Sequence, residues 1–516
     1  MRILGKTVFA AMALATVGAA HAAMSLNPRG LGQVLLYPIY SADFQKNRST
    51  LVTLVNTSNR AKVVQLTFRE GVQGAETLTL RLFLGPRDAW NGTVFSLNAS
   101  PNEGPNLISN DRGCVAPVTY DSVRTLPDER SYWVFSRANA VDPLGWDLGR
   151  VMSGAIEAIE LGEIRAGSAL AAAVTSQGDA APTCAGVATA DLATALDAPG
   201  GKLYGSYALV NASSGRVTSG AATAIDGFSV VPLGDRPLAE LSHGRTGAGA
   251  NDPVEASVEA DGRRFAVKYP RDRAIDAVSA LLMVDAVNGD FVVDPAAGAD
   301  TDWVLSMPTR RFYVAGARND NGLAREPFAA RAHATMWRSQ PCAYYDADVR
   351  DRDQHAIAPR TTYLVPPGAS TQAVPADPDI LMEPYPERGA RALCNAVEVV
   401  AFSRYRDVPY TFRGSSVLSY KWVFELLDVA VTATGGTARL RLGLPDPVAS
   451  ATSGTTPSVL PAGIEGPALR GLPVIGAAAT LYVNTNGLNR FEYSTTEPLR
   501  GEVVCAASDG SAISCP

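Results

Sequence analysis

Short runs of alternating apolar and polar residues, separated by turn-forming residues, constrain the fold of this chain most strongly. In VQLTFR (64–69) apolar and polar side chains alternate, which predicts a strand with one polar face in water. The earlier run LVTLV (51–55) is apolar or β-branched throughout, which predicts a strand buried on both faces. Between them, NTSNRA (56–61) predicts a turn, because Asn and Ser side chains bond the local backbone.

Similar runs continue to the end of the chain. They are 33–40, 77–84, 131–135, 155–164, 202–211, 302–307, 310–316, 396–402, 437–444 and 479–484. Short strands with turns between them are typical of antiparallel sandwiches, and only 189–197 and 272–284 have helical patterns. We expect a mainly β protein of two or three antiparallel β-sandwich units, Ig-like or jelly-roll-like, with few short helices and long loops.

The length of the chain predicts about three domains at ~150 residues each. The predicted parts are a signal peptide (1–22), an N-terminal β-sandwich (23–165), a mixed middle region with short helices (166–300) and a C-terminal β-rich domain (301–516). Two long loops, 364–389 and 449–471, are rich in Pro or in Ser, Thr and Gly, which disfavours regular structure there.

The first residues have the three parts of a secretory signal peptide. Arg2 and Lys6 precede a short apolar stretch (7–20), and Ala20-His21-Ala22 places small residues before a cleavage site. A membrane span needs about 20 apolar residues, so this stretch is too short for one. We expect an exported protein in the periplasm, at the cell surface or outside the cell, with no transmembrane segment after signal cleavage.

The overall charge bears on the class of partner. The formal net charge is −6 and the isoelectric point is about 5.5. Nucleic acids and anionic membranes select basic patches, so we expect no nucleic acid partner.

The chain has six cysteines, and an even number in an exported protein predicts disulfides. Many connectivities are open, and we predict the sequential one: Cys114–Cys184, Cys342–Cys394 and Cys505–Cys515. Each bridge is worth about 3–4 kcal/mol in the loop-entropy description. Zinc is disfavoured because no CxxC occurs and no cysteine has a histidine nearby.

Two acidic groups are candidates for chemistry. Glu157, Glu160 and Glu163 would share one face of a helix, as an acid/base or metal pair requires. On a strand, Glu160 would point away from the other two. Gly162 and the apolar neighbours favour the strand, where a buried Glu160 needs a basic partner or a raised pKa.

The second group lies in YYDADVRDRDQH (344–355), and calcium is the only cofactor that the sequence suggests. Its candidate ligands are Asp346, Asp348, Asp351 and Asp353. Their spacing departs from the EF-hand pattern. Arg350 and Arg352 lie among the acids, so a solvated loop that pairs its own charges is the favoured alternative.

Signatures of catalysis are missing from the sequence. After signal cleavage the histidines are His243, His333 and His355, in unrelated contexts, and GxSxG, HExxH and P-loop motifs are absent. With all cysteines paired, no thiol nucleophile is left. The missing catalytic motifs and the pairing of all cysteines favour a non-catalytic protein over an enzyme.

Several stretches, in this order, resemble a group of uncharacterised exported proteins of Gram-negative bacteria known as cell-surface proteins. They are RGLGQVLLYPIYS (29–41) followed by TLVTLVNTS (50–58), then TDWVLSMPTRRFYV (301–314) and GLPVIGAAATLYVN (471–484). The resemblance implies residence in the envelope or at the surface. It implies no established activity and therefore no catalytic residues.

Together these features predict an exported, non-catalytic envelope or cell-surface protein with a structural, adhesive or assembly role. Its expected partners are other envelope proteins or surface polysaccharide. The alternative is a secreted or periplasmic carbohydrate-binding protein or hydrolase with a cleft between β-sandwiches. Glu157, Glu160, the acids of 346–353 and the two long loops would have to form that cleft.

Overall fold

The computed structural model of the protein describes most of the chain after residue 22. The described residues are 23–43, 47–96, 104–118, 123–125, 131–135, 151–178, 180–314, 324–328, 332–335, 338–357, 360–362, 391–404, 417–418, 425–429, 433–445, 457–486 and 489–516. The predicted signal peptide and the predicted loop 364–389 lie outside them, as does the first part of the loop 449–471.

Strands make up most of the regular structure, which confirms the predicted fold class. The first strands are β1 (Met24–Leu26), β2 (Val34–Ser41), β3 (Arg48–Asn56), β4 (Lys62–Glu70), β5 (Glu76–Leu84), β6 (Ala89–Phe95), β7 (Asn106–Ile108), β8 (Cys114–Pro117), β9 (Val123–Thr125), β10 (Ser131–Val134), β11 (Ser153–Ile164), β12 (Leu196–Asp197), β13 (Leu203–Asn211), β14 (Arg216–Ala221), β15 (Thr223–Asp226), β16 (Val254–Ala260) and β17 (Arg263–Tyr269).

The remaining strands follow in the second half of the chain. They are β18 (Met283–Val284), β19 (Ala286–Val292), β20 (Ala299–Ser306), β21 (Ala332–Thr335), β22 (Arg338–Pro341), β23 (Ala343–Asp351), β24 (Ala356–Ile357), β25 (Arg360–Thr362), β26 (Arg391–Leu393), β27 (Val397–Arg404), β28 (Glu425–Val429), β29 (Gly435–Leu444), β30 (Val459–Leu460), β31 (Ala468–Arg470), β32 (Leu472–Pro473), β33 (Ile475–Asn486), β34 (Asn489–Pro498), β35 (Arg500–Glu502), β36 (Cys505–Ala506) and β37 (Ala512–Ile513).

The strands form four main sheets. Sheet 1 has the order β17-β16-β1-β15-β2-β11-β4-β5-β8 with β12 beside β11, and sheet 2 the order β14-β13-β3-β6-β7-β10-β9. Sheet 3 has the order β24-β23-β29-β19-β35 with β26 beside β23, and sheet 4 the order β25-β28-β27-β20-β33-β34. Smaller sheets are β18-β32, β21-β22 and β30-β31-β36-β37. Among the described strands, the β1–β16 and β27–β28 pairs are parallel and the other pairs are antiparallel.

Sheets 1 and 2 face each other across one apolar core, and sheets 3 and 4 enclose another. In the first, Tyr37 of β2 donates its hydroxyl to the Thr53 carbonyl of β3 at 2.9 Å. In the second, the rings of Phe291 on β19 and Phe402 on β27 stack with centroids 5.0 Å apart. The chain therefore forms two sandwich-like units.

The two units also share part of a core. Residues of sheet 4 join the apolar cluster between sheets 1 and 2, namely Val304, Val397, Val399, Ala479 and Leu481. The edge strands β14 and β34 meet as well, where the Ser494 hydroxyl donates to the Val217 carbonyl at 2.8 Å. Side-chain hydroxyls thus cover a strand edge that would otherwise offer free carbonyl groups.

The predicted middle region, 166–300, forms no unit of its own. β13 pairs with β3 along nine residues, and β15 and β16 pair with β2 and β1. β19 instead joins sheet 3 of the second unit. Strands separated widely in sequence complete each sandwich, so the boundaries at 165 and 300 fall inside paired sheets.

The helices are few and short. They are α1 (Ala169–Ala173), α2 (Leu192–Ala195), α3 (Ala274–Leu282) and α4 (Arg310–Val314). The helix predicted over 272–284 is α3, and all nine of its residues are buried instead of one stripe. The strand predicted over 310–316 is wrong, because α4 occupies its described part. None of the helices in the described chain is long and apolar enough to cross a membrane.

β3 and β4 lie in different sheets and do not pair as a hairpin, and their burial is the reverse of the prediction. β3 alternates, with Leu51 43% exposed, whereas every residue of β4 is buried. β4 lies between β11 and β5, and its polar face is covered by the segment around Ala239. There the Gln65 side-chain amide donates to the Ala239 carbonyl at 2.7 Å and accepts from its N–H at 2.9 Å.

All six cysteines are paired in the sequential order, as Cys114–Cys184, Cys342–Cys394 and Cys505–Cys515. The first links β8 to the segment after α1. The second links the residue before β23 to the residue after β26, and the third ties β36 to the C-terminus. Each bridge fastens a short edge element to a sheet.

The two faces of β3 provide a direct test of this arrangement. Leu54→Ala should lower the free energy of unfolding by about 2–5 kcal/mol, because Leu54 is fully buried. Leu51→Ala in the same strand should change it by less than about 0.5 kcal/mol. Urea unfolding of both variants measures the difference, and equal losses would contradict the assignment of faces.

Candidate functional site

Glu157 on β11 lies between two arginines from different parts of the chain. Arg69 of β4 donates its Nε to the carboxylate at 2.7 Å, and Arg311 of α4 donates Nη1 at 2.6 Å. The three side chains are at most 10% exposed. Burial pushes the pKa of Glu157 upward, but Arg311 and Arg69 outweigh it and hold this pKa below its usual range.

Glu160 points to the opposite face of sheet 1 and is paired with Lys62 of β4. Lys62 Nζ lies 2.6 Å from Glu160 Oε1, and both side chains are fully buried. The carboxylate also accepts the N–H groups of Gly200 and Gly201, each at 2.9 Å. Burial raises the pKa of Glu160 to about 7, against the opposing effect of Lys62.

Glu163 lies close to Glu160, unlike the expectation for a regular strand. The pairing of β11 with β4 shifts between Glu160 and Gly162, which changes the alternation of side chains along the strand. Lys62 Nζ therefore also reaches Glu163, at 2.9 Å, and Arg60 Nε lies 3.1 Å from the same carboxylate. A β-bulge cannot be recognised from the spacing of three glutamates alone.

These carboxylates have the contacts of structural groups. A general acid or base must come within hydrogen-bonding distance of a substrate proton. Glu157 and Glu160 are buried on opposite faces of a central strand, and their oxygens are used by arginine, lysine and backbone N–H groups. The structure does not bring them together with the acids of β23 in a cleft.

The predicted calcium ligands divide into two groups. Asp346 and Asp348 lie exposed on β23, within 3.4 Å of Arg441 and 3.3 Å of Arg350 respectively. Asp351 ends β23 and Asp353 lies in the turn that follows, and ligand atoms of Asp351, Asp353 and His355 are within 4.8 Å of one another. Calcium takes about 6–8 oxygen ligands, so these three side chains would supply only part of its coordination.

Of the two histidines whose side chains are described, His355 lies with these acids and His243 lies elsewhere. His243 accepts the Glu240 N–H at its Nδ1 at 3.0 Å, and burial together with Arg236 lowers its pKa. His355 contacts Asp351, with Nδ1 3.1 Å from Oδ2. The His333 side chain lies outside the described parts.

A groove at the open edge between sheets 1 and 2 was not predicted. It has a volume of about 510 Å³, within the range of ligand pockets. Its lining includes Ser109, Asn110, Asp111, Ser131, Trp133 and Cys184. These residues come from the β7–β8 turn, β10 and the Cys114–Cys184 bridge, and burial raises the pKa of Asp111. In the sequence, only the predicted Cys114–Cys184 disulfide indicates that these segments lie close together.

Comparison with known protein families, with curated proteins and with solved structures finds no match for this chain. The resemblance to exported cell-surface proteins therefore stays a prediction.

Glu398 on β27 is a further buried acid whose pKa is raised. Its Oε1 accepts the N–H groups of Cys394 and Asn395 at 2.9 and 2.7 Å. The side chain is 1% exposed, and burial raises its pKa to about 7, against the backbone hydrogen bonds.

This raised pKa predicts a pH dependence of stability. Because the folded state holds the Glu398 proton more tightly than the unfolded state does, its contribution to stability falls as pH rises from about 4.5 to 7. Glu398→Gln removes this pH-dependent contribution. Between these pH values the free energy of unfolding of the variant should therefore rise relative to that of the wild type, by on the order of 3 kcal/mol.

Urea unfolding at several pH values measures the difference between variant and wild type. The matched control is Glu259→Gln, an exposed acid paired with Arg264, which should leave the pH dependence unchanged. If the free energies of unfolding of wild type and Glu398→Gln change with pH in parallel, the raised pKa of Glu398 is contradicted.

Proposed function

We propose that this protein is an exported, non-catalytic component of the cell envelope or cell surface with a structural, adhesive or assembly role. The observation that supports this most is the use of the buried carboxylates Glu157 and Glu160. Each is enclosed by basic side chains or backbone N–H groups and contributes to joining sheets and units. Such groups stabilise a fold and are inaccessible to a substrate.

The three disulfides support the export part of the proposal. Disulfides persist in oxidising compartments outside the cytosol, and here they fasten edge elements of both units. The expected partners are other envelope proteins or surface polysaccharide.

Protease treatment of intact cells, followed by mass spectrometry of the released peptides, tests the proposal. Peptides from 364–389 and 449–471 should be released from intact cells, whereas peptides of the buried strands β4 and β11 should not. A periplasmic marker protein that stays intact serves as the control for unbroken cells. Protection in whole cells, with release only from a periplasmic extract, would contradict a surface role.

The groove beside Trp133 favours a second candidate, a periplasmic or secreted carbohydrate-binding protein. Amide, hydroxyl and carboxyl groups line it beside part of one aromatic ring, a combination that suits a polyhydroxylated ligand. Glycosidases use two carboxylates, and Asp111 is the only acid among the lining residues in the described chain. The groove thus supports binding over hydrolysis, and protection in whole cells would favour this candidate.

A further inference from the structure

Arg81, Arg245 and Arg271 form hydrogen bonds only with backbone carbonyl groups in the described parts. Arg271 Nη1 donates to Gly244 at 2.9 Å, Arg245 Nη2 to Ala248 at 3.1 Å, and Arg81 Nη2 to the carbonyls at 236 and 237. Within the same residues, none of the three has a carboxylate oxygen within 4.0 Å. Arg69 and Arg311 differ from these three, because both bond the carboxylate of Glu157.

Two of these arginines lie next to each other. The bond from Arg271 Nη1 to the Gly244 carbonyl places this guanidinium against the backbone of the segment that carries His243 and Arg245. Burial lowers the pKa of Arg271, and the charges of Arg245 and Arg236 lower it further. Positive charges therefore lie close enough together to repel one another.

We call Arg236, His243, Arg245 and Arg271 the arginine cluster. This cluster also has hydrogen-bond donors that lack an acceptor among the described residues. Arg245 Nε is shielded from solvent and has no hydrogen-bond partner in the described chain. Neutral His243 carries its proton on Nε2, because its Nδ1 accepts the Glu240 N–H. A buried donor without an acceptor destabilises the folded state, and an anionic ligand that accepts its hydrogen bond would remove that cost.

The neighbouring acids neutralise the cluster only in part. Asp252 acts on Arg271 from a distance, and its carboxylate accepts the Gly249 N–H at 2.6 Å. Asp235 lies 3.5 Å from Arg236. Neither carboxylate lies within 4.0 Å of Arg245 or Arg271.

We propose that Arg245 and Arg271, with His243 and Arg236 beside them, bind a phosphate group. Guanidinium groups match phosphate oxygens in pairs of parallel hydrogen bonds, and several of them around one site suit a doubly charged anion. A soluble phosphate ester and a phosphorylated lipid headgroup offer the same chemistry. This site goes beyond the proposed structural role and does not depend on it.

Titration of the full chain with inorganic phosphate, followed by ³¹P NMR and by thermal unfolding at constant ionic strength, tests the proposal. A ligand that binds only the folded state raises the unfolding temperature in a saturable way. The Arg245→Gln/Arg271→Gln double variant should weaken phosphate binding by at least about tenfold. Unchanged binding in this variant, or no saturable effect in the wild type, would overturn the proposal.

Two further variants serve as controls. Arg264→Gln removes an exposed arginine that is paired with Glu259 and should bind phosphate like the wild type. Arg271→Gln alone keeps the test valid if the double variant folds poorly, and it should also weaken binding. Equal losses of phosphate affinity in Arg264→Gln and Arg271→Gln would show a non-specific charge effect and overturn the proposal.

Two probes then separate the sources of phosphate. Co-sedimentation with vesicles of phosphatidic acid in phosphatidylcholine, compared with phosphatidylcholine alone, tests a lipid headgroup. Glucose 6-phosphate tests a soluble ester. Binding of either probe that is lost in the double variant supports the site and identifies the source, whereas failure of both probes and of inorganic phosphate overturns it.

Discussion

The central strands β4 and β11 of sheet 1 are buried on both faces, and the ionic contacts of their side chains follow from that constraint. A charge removed from water is costly unless a partner and hydrogen bonds compensate it. On one face Lys62 and Glu160 compensate each other, and on the other Arg69 and Arg311 enclose Glu157. The acids that first suggested chemistry are therefore parts of the framework.

The same carboxylate links the two units. Arg311 comes from α4, beyond the strands of the first sandwich, and its guanidinium bonds Glu157 of β11 in sheet 1. Apolar residues of sheet 4 enter the first core, and hydroxyl groups of β34 cover the edge of β14. Packing, charge and edge protection therefore couple the same two parts of the chain.

Local patterns predicted the strands well, because an alternating run needs only its own sequence to show the period of a strand. They did not predict which faces are buried, because burial depends on distant segments. Ala239 covers Gln65, whereas Leu51 stays 43% exposed among the described residues. They also failed for α4, where long-range contacts of Arg310 and Arg311 override local strand propensity. The groove and the arginine cluster combine residues far apart in sequence, so no spacing could reveal them.

A double-mutant cycle of Glu157→Gln and Arg311→Met, measured by urea unfolding, tests the structural role of the buried acids most directly. The account predicts a coupling free energy of about 1.5 kcal/mol or more between these residues. The exposed pair Glu259 and Arg264 should give less than about 1 kcal/mol in a parallel cycle. A coupling near zero for Glu157 and Arg311 would contradict the claim that these charges hold the two units together.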